Sequence, residues 1–101
     1  MGGRGVMATE IAGEFEWDVA KSQANVRKHG VTFMEGARAF LDPLAVDLPD
    51  LMHPDRLVLL GMTMPERLLY VVYTERTSSG RLRIISARRA TRHEQKNYEE
   101  R

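Results

Sequence analysis

The pattern of apolar and polar positions predicts helices in the first part of the chain. Phe15 and Trp17 alternate with polar residues, which is typical of a short strand or an extended lead-in. Asp18 is a good N-cap and Gly30 a good residue to follow a C-terminus, so they predict a helix from Val19 to about His29.

A second helix begins at a capping box formed by Thr32 and Glu35. Its apolar residues recur at helical spacing and predict one buried stripe, made of Phe33, Ala37, Phe40 and Leu41. The pair Asp42-Pro43 ends this helix, because a residue before proline is disfavoured in helical conformation.

The second half of the chain has the alternation and the β-branched and aromatic content of strands. Strands are predicted over 44–48, 56–62, 67–75 and 81–87, with a short hairpin loop over 76–80. A second capping box, Thr91 and Glu94, predicts a C-terminal helix.

This order of elements predicts an α+β domain over 14–101, preceded by a flexible tail over 1–13. Two N-terminal helices and a C-terminal helix would cover one side of an antiparallel sheet of three to four strands, because short turns join antiparallel strands. The predicted core contains Phe33, Ala37, Phe40, Leu69, Val71 or Tyr70, Leu82 and Ile84.

Composition narrows the chemistry that the chain can perform. The 101 residues are 43% apolar and 29% charged, a globular balance. The absence of cysteine excludes disulfides, zinc–thiolate sites and a cysteine nucleophile, and it is compatible with a cytoplasmic protein. The sequence has no H-x-x-x-H motif and no apolar run near 18 residues, so we expect no metal, no cofactor and no membrane partner.

The charge is distributed unevenly along the chain. Residues 42–75 have a net charge of −4 and residues 76–101 a net charge of +5, mostly from arginine. The arginine fork matches phosphate oxygens, so this basic quarter indicates an anionic partner such as nucleic acid or an acidic protein. The alternative is a solvated charged face.

Five strings of the sequence together resemble the BrnT toxin family of type II toxin–antitoxin systems. They are FEWD (15–18), NVRKHGVTF (25–33), AFLDP (39–43), LYVVYTER (69–76) and RIISARRAT (83–91). The resemblance covers residues 15–99. It implies a RelE-like fold and a ribonuclease that inhibits translation. It also implies a BrnA-type antitoxin with a ribbon-helix-helix DNA-binding part, through which the pair would bind operator DNA as a symmetric hetero-oligomer.

RelE-like enzymes are similar to metal-free ribonucleases, in which the RNA 2′-OH attacks the adjacent phosphate. The reaction needs a proton acceptor, a proton donor and cations that stabilise the phosphate. We assign the phosphate to Arg76, Arg83 and Arg88, and proton transfer to Lys28 and His29 or to His53. Further RNA contacts are predicted at Arg81, Arg89 and Tyr98.

Each of these residues also has a structural interpretation. Lys28 and His29 could simply stabilise a helix C-terminus, where cations are favoured. His53 could be a solvated loop residue, Tyr98 a core residue, and each arginine the partner of a carboxylate.

Alternation along the last strand puts Arg81 and Arg83 on one face and Leu82 and Ile84 on the other. The two arginines would then face Tyr73 and Glu75 of the neighbouring strand. Strict alternation would put Arg88 on the face of Leu82.

A second functional hypothesis is a non-catalytic basic domain that binds an acidic partner or nucleic acid. Under the toxin hypothesis, the antitoxin is expected to cover the basic surface of residues 76–101, because their charge is not compensated locally.

Overall fold

The computed structural model describes residues 8–64, 67–76 and 78–100. Within them six strands and three helices follow one another along the chain. They are β1 (Thr9–Ala12), β2 (Phe15–Asp18), α1 (Val19–His29), α2 (Phe33–Ala39), β3 (Val46–Pro49), β4 (Leu57–Met64), β5 (Arg67–Glu75), β6 (Leu82–Arg89) and α3 (Arg92–Glu99). The strands form a single sheet in the order β1-β2-β6-β5-β4-β3.

The α+β class is confirmed, but the sheet is larger than predicted and it is mixed. Residues 9–12, predicted to be part of a tail, form β1 and pair with β2, while residues 1–7 lie outside the described part of the chain. Strand β2 pairs in parallel with β6, and the other pairs are antiparallel. The pattern missed this parallel pair because its partners are far apart in sequence and no turn joins them.

Helix α1 and helix α2 cover one face of the sheet. Beneath them lies the main core, whose buried members are Trp17, Val31, Phe33, Ala37, Ala39, Leu59, Leu69, Val71, Tyr73, Ile84 and Ala87. Phe40 and Leu82 are partly buried against it, so most of the predicted core is confirmed.

A second, smaller apolar cluster lies on the opposite face. Leu60 and Leu68 pack there with Tyr98 of α3, and Tyr70 borders them. The pattern predicted that the three helices share one side of the sheet. This prediction is wrong, because α3 lies on the face opposite α1 and α2. Helix α3 is polar apart from Tyr98, so it packs through a single buried side chain.

The predicted starts of the three helices and the predicted end of α1 are confirmed. Helix α2 instead ends at Ala39, before the predicted stop at Asp42-Pro43, because the next two N–H groups bond carbonyls three residues earlier. Leu41 of the predicted buried stripe is consequently 80% exposed. The Asp18 carboxylate accepts a hydrogen bond from the Lys21 backbone N–H at 2.9 Å, and Gly30 has a φ of 71°, which glycine adopts without steric cost. Both capping boxes are complete, because Glu35 and Glu94 each accept a bond from the backbone of the threonine three residues earlier. Local hydrogen bonding between neighbours in sequence fixes these ends.

A bulge in β6 changes which residues share a face. Tyr73 lies opposite Ile84 and Val72 lies opposite Ser86, so Ile85 has no partner on β5. One extra residue reverses the alternation beyond it. Arg88 consequently lies on the same face as Arg83, not on the face of Leu82 as strict alternation predicted.

The side chain of Asn25 joins α1 to β6 just beyond this bulge. Its carbonyl oxygen accepts a bond from the Ala87 N–H at 3.2 Å. Its amide donates to the Ala87 carbonyl at 2.7 Å and to the Val31 carbonyl at 2.8 Å. The buried side chain of Asn25 thus supplies hydrogen-bond partners to backbone groups of β6 at a point where β2 has already ended.

We expect Asn25→Ala to destabilise the fold by about 2–4 kcal/mol, because it leaves buried backbone groups of Ala87 and Val31 without partners. Urea unfolding at neutral pH measures the change. The control Asn97→Ala, at an exposed position of α3, should stay within about 0.5 kcal/mol of wild type. Equal stability of the two variants would contradict the role given to Asn25.

Candidate functional site

Strands β2, β6 and β5 present a row of polar side chains on the sheet face opposite α1 and α2. We call this surface the open face and define it by Glu16, Tyr70, Thr74, Arg83, Ser86 and Arg88. The register places Glu16 beside Arg83, and Arg83 beside Thr74. Farther along the same two strands, Ser86 lies opposite Val72 and Arg88 opposite Tyr70. The row ends beside helix α3.

A buried carboxylate organises one end of the open face. Glu16 is only 5% exposed, and its Oε2 accepts a hydrogen bond from Arg83 Nη1 at 2.6 Å. Ser79, in the β5–β6 loop, donates its hydroxyl to Glu16 Oε1 at 2.9 Å. Arg81 Nη1 lies 3.9 Å from the same oxygen. Three elements therefore converge on one carboxylate.

The surroundings of Glu16 favour its charged form. Burial alone would raise the pKa of this carboxyl, but hydrogen bonds from Ser79 and Arg83 and the positive charges of Arg83 and Arg76 outweigh burial. The net result is a pKa below the ordinary 4.5 of a glutamate. Glu16 is therefore ionised at neutral pH and holds the guanidinium of Arg83 in a fixed orientation.

A second arginine is fixed at the other end of the open face. Arg88 donates from Nη1 and Nη2 to the two oxygens of Glu94 at 2.8 and 2.9 Å. Its guanidinium lies 3.9 Å above the centre of the Tyr70 ring. These hydrogen bonds raise the pKa of Arg88. The pKa of Glu94 is lowered because bonds from Arg88 and the Thr91 backbone outweigh burial.

Of the other predicted arginines, Arg76 and Arg81 lie near Glu16, and Arg89 lies at the other end of β6. Arg76 is exposed at the end of β5, and its backbone pairs with that of Arg81 across the hairpin. Arg89 is exposed at the end of β6, next to Arg88. The structure corrects two expectations about charge. Arg83 bonds Glu16, not Tyr73 or Glu75. Glu16 of β2 also compensates part of the +5 charge of residues 76–101, a sum that already includes Glu94.

Comparison with known proteins identifies the family. The family described as "Ribonuclease toxin, BrnT, of type II toxin-antitoxin system" matches residues 17–94. The chain belongs to the BrnT family. The crystal structure of the Brucella abortus ribonuclease toxin BrnT is similar, with a TM-score of 0.60 and 28% sequence identity. The match covers 75% of this chain and 94% of that one. No match was found among curated proteins.

Membership of the family confirms the resemblance read from the sequence strings. It makes this chain a toxin of the BrnT type, a ribonuclease family whose members act within type II systems and therefore with an antitoxin. Strands β5 and β6, which carry most of the open face, lie wholly inside residues 17–94, and Glu16 immediately precedes the matched region.

The predicted proton-transfer residues lie elsewhere in this BrnT-family fold. Lys28 and His29 end helix α1, which packs on the face opposite Arg83 and Arg88. His53 is in the β3–β4 loop, where its Nδ1 lies 3.4 Å from Asp50. The structure thus does not bring Lys28 or His29 to the open face, and the contact that it gives His53 is with Asp50 of its own loop.

Tyr98, predicted to contact RNA, is 8% exposed and donates its hydroxyl to Asp42 at 2.6 Å. This burial fits the core interpretation of Tyr98.

Sequence reasoning missed the two carboxylates and the ring that orient the arginines. The local sequence did indicate that Glu16 faces away from the core, because it alternates with the apolar residues Phe15 and Trp17. Glu94 was recognised only as a capping residue, although it also binds Arg88. Tyr70 was considered only as a possible core residue.

Two absences hold for the part of the chain that the structure describes. There, no three His, Cys, Asp or Glu side chains lie close enough to hold a metal ion together. No helix in the same ranges is long and apolar enough to cross a membrane.

The lowered pKa of Glu16 predicts a pH-dependent contribution to stability. A carboxyl whose pKa is lower in the folded than in the unfolded state stabilises the fold above about pH 4.5, and this contribution is lost as the pH falls through the folded-state value. Glu16→Gln should therefore be less stable at pH 7 and should lose less further stability than wild type between about pH 5 and pH 3.

Urea unfolding across that pH range measures both slopes. Glu14→Gln is the matched control, because Glu14 is exposed two residues away, and it should keep the wild-type slope. A Glu16→Gln slope equal to that of wild type would show that Glu16 is not held in its charged form by its neighbours.

Proposed function

We propose that this chain is an endoribonuclease toxin that cleaves RNA without a metal ion, uses the open face as its active surface and thereby inhibits translation in the cytoplasm. One observation carries this proposal: the β6 bulge puts Arg83 and Arg88 on one face, beside a buried ionised glutamate. Cations held in place before the substrate arrives stabilise phosphate charge without reorganisation during the reaction. Family membership supports the ribonuclease class.

Arg83 and Arg88 are spaced to bind different phosphates of one strand. Their partners on β5, Thr74 and Tyr70, are four residues apart, which corresponds to roughly 13 Å along the strand. Arg83 is the more buried of the two, with 16% of its side chain exposed against 31% for Arg88. We assign the scissile phosphate to Arg83, because charge stabilisation is strongest where water is excluded. Arg88 then binds a neighbouring phosphate.

Glu16 is proposed as the proton acceptor for the attacking 2′-OH. In the free protein its pKa is low, which makes it a weak base. A phosphate that binds Arg83 places a negative charge beside Glu16. A nearby like charge disfavours the charged carboxylate and raises its pKa, and burial acts in the same direction. Substrate binding would therefore strengthen the base.

The proposed reaction is an intramolecular phosphoryl transfer. The 2′-oxygen forms a new bond to phosphorus, its proton passes to Glu16, and the bond to the 5′-oxygen breaks. The leaving oxygen takes a proton from water. The products are a 2′,3′-cyclic phosphate, which hydrolysis converts to a 3′-phosphate, and a 5′-hydroxyl end.

The partner is proposed to be a BrnA-type antitoxin, which would connect the toxin to operator DNA and form a symmetric hetero-oligomer with it. The argument is steric and electrostatic. An antitoxin that covers Arg83 and Arg88 would exclude RNA from the open face. The exposed cations around it, Arg76, Arg89 and Arg92, favour an acidic segment of the partner.

We expect the purified full chain to cleave RNA equally well in EDTA and in magnesium, with cyclic or 3′-phosphate product ends. Arg83→Ala and Glu16→Gln should each lower kcat/KM by about 100-fold, as expected for loss of charge stabilisation or of a general base. Arg88→Ala should act mainly on KM. Quantitative cleavage kinetics on a short RNA, with mass analysis of the ends, measures these effects.

The matched control is Arg27→Ala, an exposed arginine of α1, which should stay within about twofold of wild type. Arg83→Lys separates chemistry from folding, because it keeps the charge beside Glu16 and loses the planar fork. Activity that vanishes in EDTA and returns with magnesium would refute the mechanism. RNA binding without cleavage by any preparation would favour a non-catalytic basic domain.

The antitoxin should bind less tightly as salt concentration rises, because mobile ions screen the contact between its carboxylates and the arginines. Titration of the purified antitoxin at low and high salt measures this change. Arg88→Glu should weaken binding at least tenfold at low salt, while Arg27→Glu should not. Affinity that is indifferent both to salt and to Arg88→Glu would place the antitoxin elsewhere on the toxin.

A further inference from the structure

A cavity lies at the end of the open face, where α3 meets the sheet. Its volume is about 310 Å³, and its lining consists of Met62, Leu68, Arg89, Ala90 and Gln95. Met62, Leu68 and Ala90 belong to the second apolar cluster and give the cavity an apolar lining. Gln95 adds an exposed amide. Arg89 pairs with Leu69 of the main core, so its side chain leaves β6 on the face of α1 and α2.

The cavity continues the row of the open face. Leu68 is two residues before Tyr70 on β5 and faces the same way, which places it roughly 7 Å farther along the strand. The Ala90 N–H donates to the Leu68 carbonyl at 2.9 Å, so the end of β6 closes against β5 at this point. An RNA strand that passes Arg83 and then Arg88 would reach the cavity next.

We propose that this cavity binds one unpaired purine base of the RNA, and so sets a sequence preference for cleavage. The inference rests on the proposed function, because it places the base by the path of the cleaved strand. Single-stranded RNA is recognised through bases that are splayed out, packed on side chains and hydrogen-bonded at their edges. Apolar groups with a few polar ones are the common composition of such small-molecule sites.

Gln95 accounts for the choice of a purine. An amide side chain can bond both N6 and N7 of adenine. Guanine also offers the N7 acceptor to the Gln95 amide, and pyrimidines have no such atom. Gln95 Nε2 is already held by Glu99 at 3.1 Å, one turn later on α3, so its amide is oriented.

A second depression on α3 supports the same path. It is lined by Arg92, Gln95, Lys96 and Glu99 and thus shares Gln95 with the cavity. Arg92 and Lys96 supply two cations beside the proposed base site. They would bind the phosphate that follows the seated base, since phosphate contacts position a strand and base contacts specify its sequence.

The experiment is cleavage of a random-sequence RNA pool followed by sequencing of the product ends. Wild type should show a purine preference of about tenfold at one position near the cut, the discrimination expected of one good base contact. Gln95→Ala should reduce that preference to about threefold or less.

Gln23→Ala and Arg27→Ala are the matched controls, because both residues are exposed on α1, away from the cavity. They should retain the wild-type preference. A wild-type enzyme that cuts without a purine preference would overturn the inference and leave the proposed function intact. A preference that survives Gln95→Ala would do the same.

A binding experiment tests the cavity independently of cleavage. An uncleavable 2′-O-methyl oligonucleotide with a purine should bind about tenfold more tightly than one with an abasic site at the same position, and Gln95→Ala should remove most of this difference. Equal affinities would overturn the base site. If wild type binds the purine but cleaves no RNA, the proposed function fails while the base site stands.

Discussion

The hydrogen bonds of the Asn25 side chain hold strand β6 in the register on which the open face depends. Strand β6 is paired with β2 only as far as Arg83, and beyond that point its Ala87 N–H and C=O would face the interior without a strand. The Asn25 amide hydrogen-bonds to both of these Ala87 groups, as a neighbouring strand would. Because it binds residue 87 itself, it fixes which residues face the core beyond the bulge, and so fixes the face on which Arg88 lies.

Both arginines of the open face are positioned by carboxylates, which costs desolvation energy. Burying an ion pair is often no more stabilising than an apolar contact of the same size, so such pairs are weak evidence for stability alone. Here they leave two guanidinium groups oriented on a sheet surface beside an aromatic ring. This arrangement makes physical sense as preorganisation for an anion, whose binding then requires little further ordering of side chains.

Elements that depend on neighbours in sequence could be predicted, and elements that depend on distant partners could not. Asp18, Thr32 and Thr91 reveal their helices because a cap bonds a residue three positions away. The β2–β6 pair joins residues 67 positions apart, as Glu16 and Arg83 show, and nothing nearby indicates it. The bulge in β6 could not be predicted either, because the order of apolar and polar residues over 82–89 fits a strand with or without an extra residue.

The same limit explains which site residues were found. Arginine is abundant in residues 76–101, so composition alone pointed to Arg83 and Arg88. Their carboxylate partners come from β2 and α3, and recognising them required the fold. The count over residues 76–101 already included Glu94, but it overstated the basic excess because Glu16, far away in sequence, pairs with Arg83 across the sheet.

The two arginines differ in what holds them, and this difference divides their roles. Glu16 is fixed within the sheet, between β6 and the hairpin loop, so Arg83 keeps its orientation as long as the sheet is intact. Glu94 belongs to α3, a polar helix with Tyr98 as its buried side chain, so Arg88 depends on a less firmly packed element. A rigid cation suits the scissile phosphate, where misplacement slows chemistry. Under the proposed function, an adjustable cation beside the proposed base site suits a strand that must seat one base, so chemistry would lie at β2 and base selection at α3.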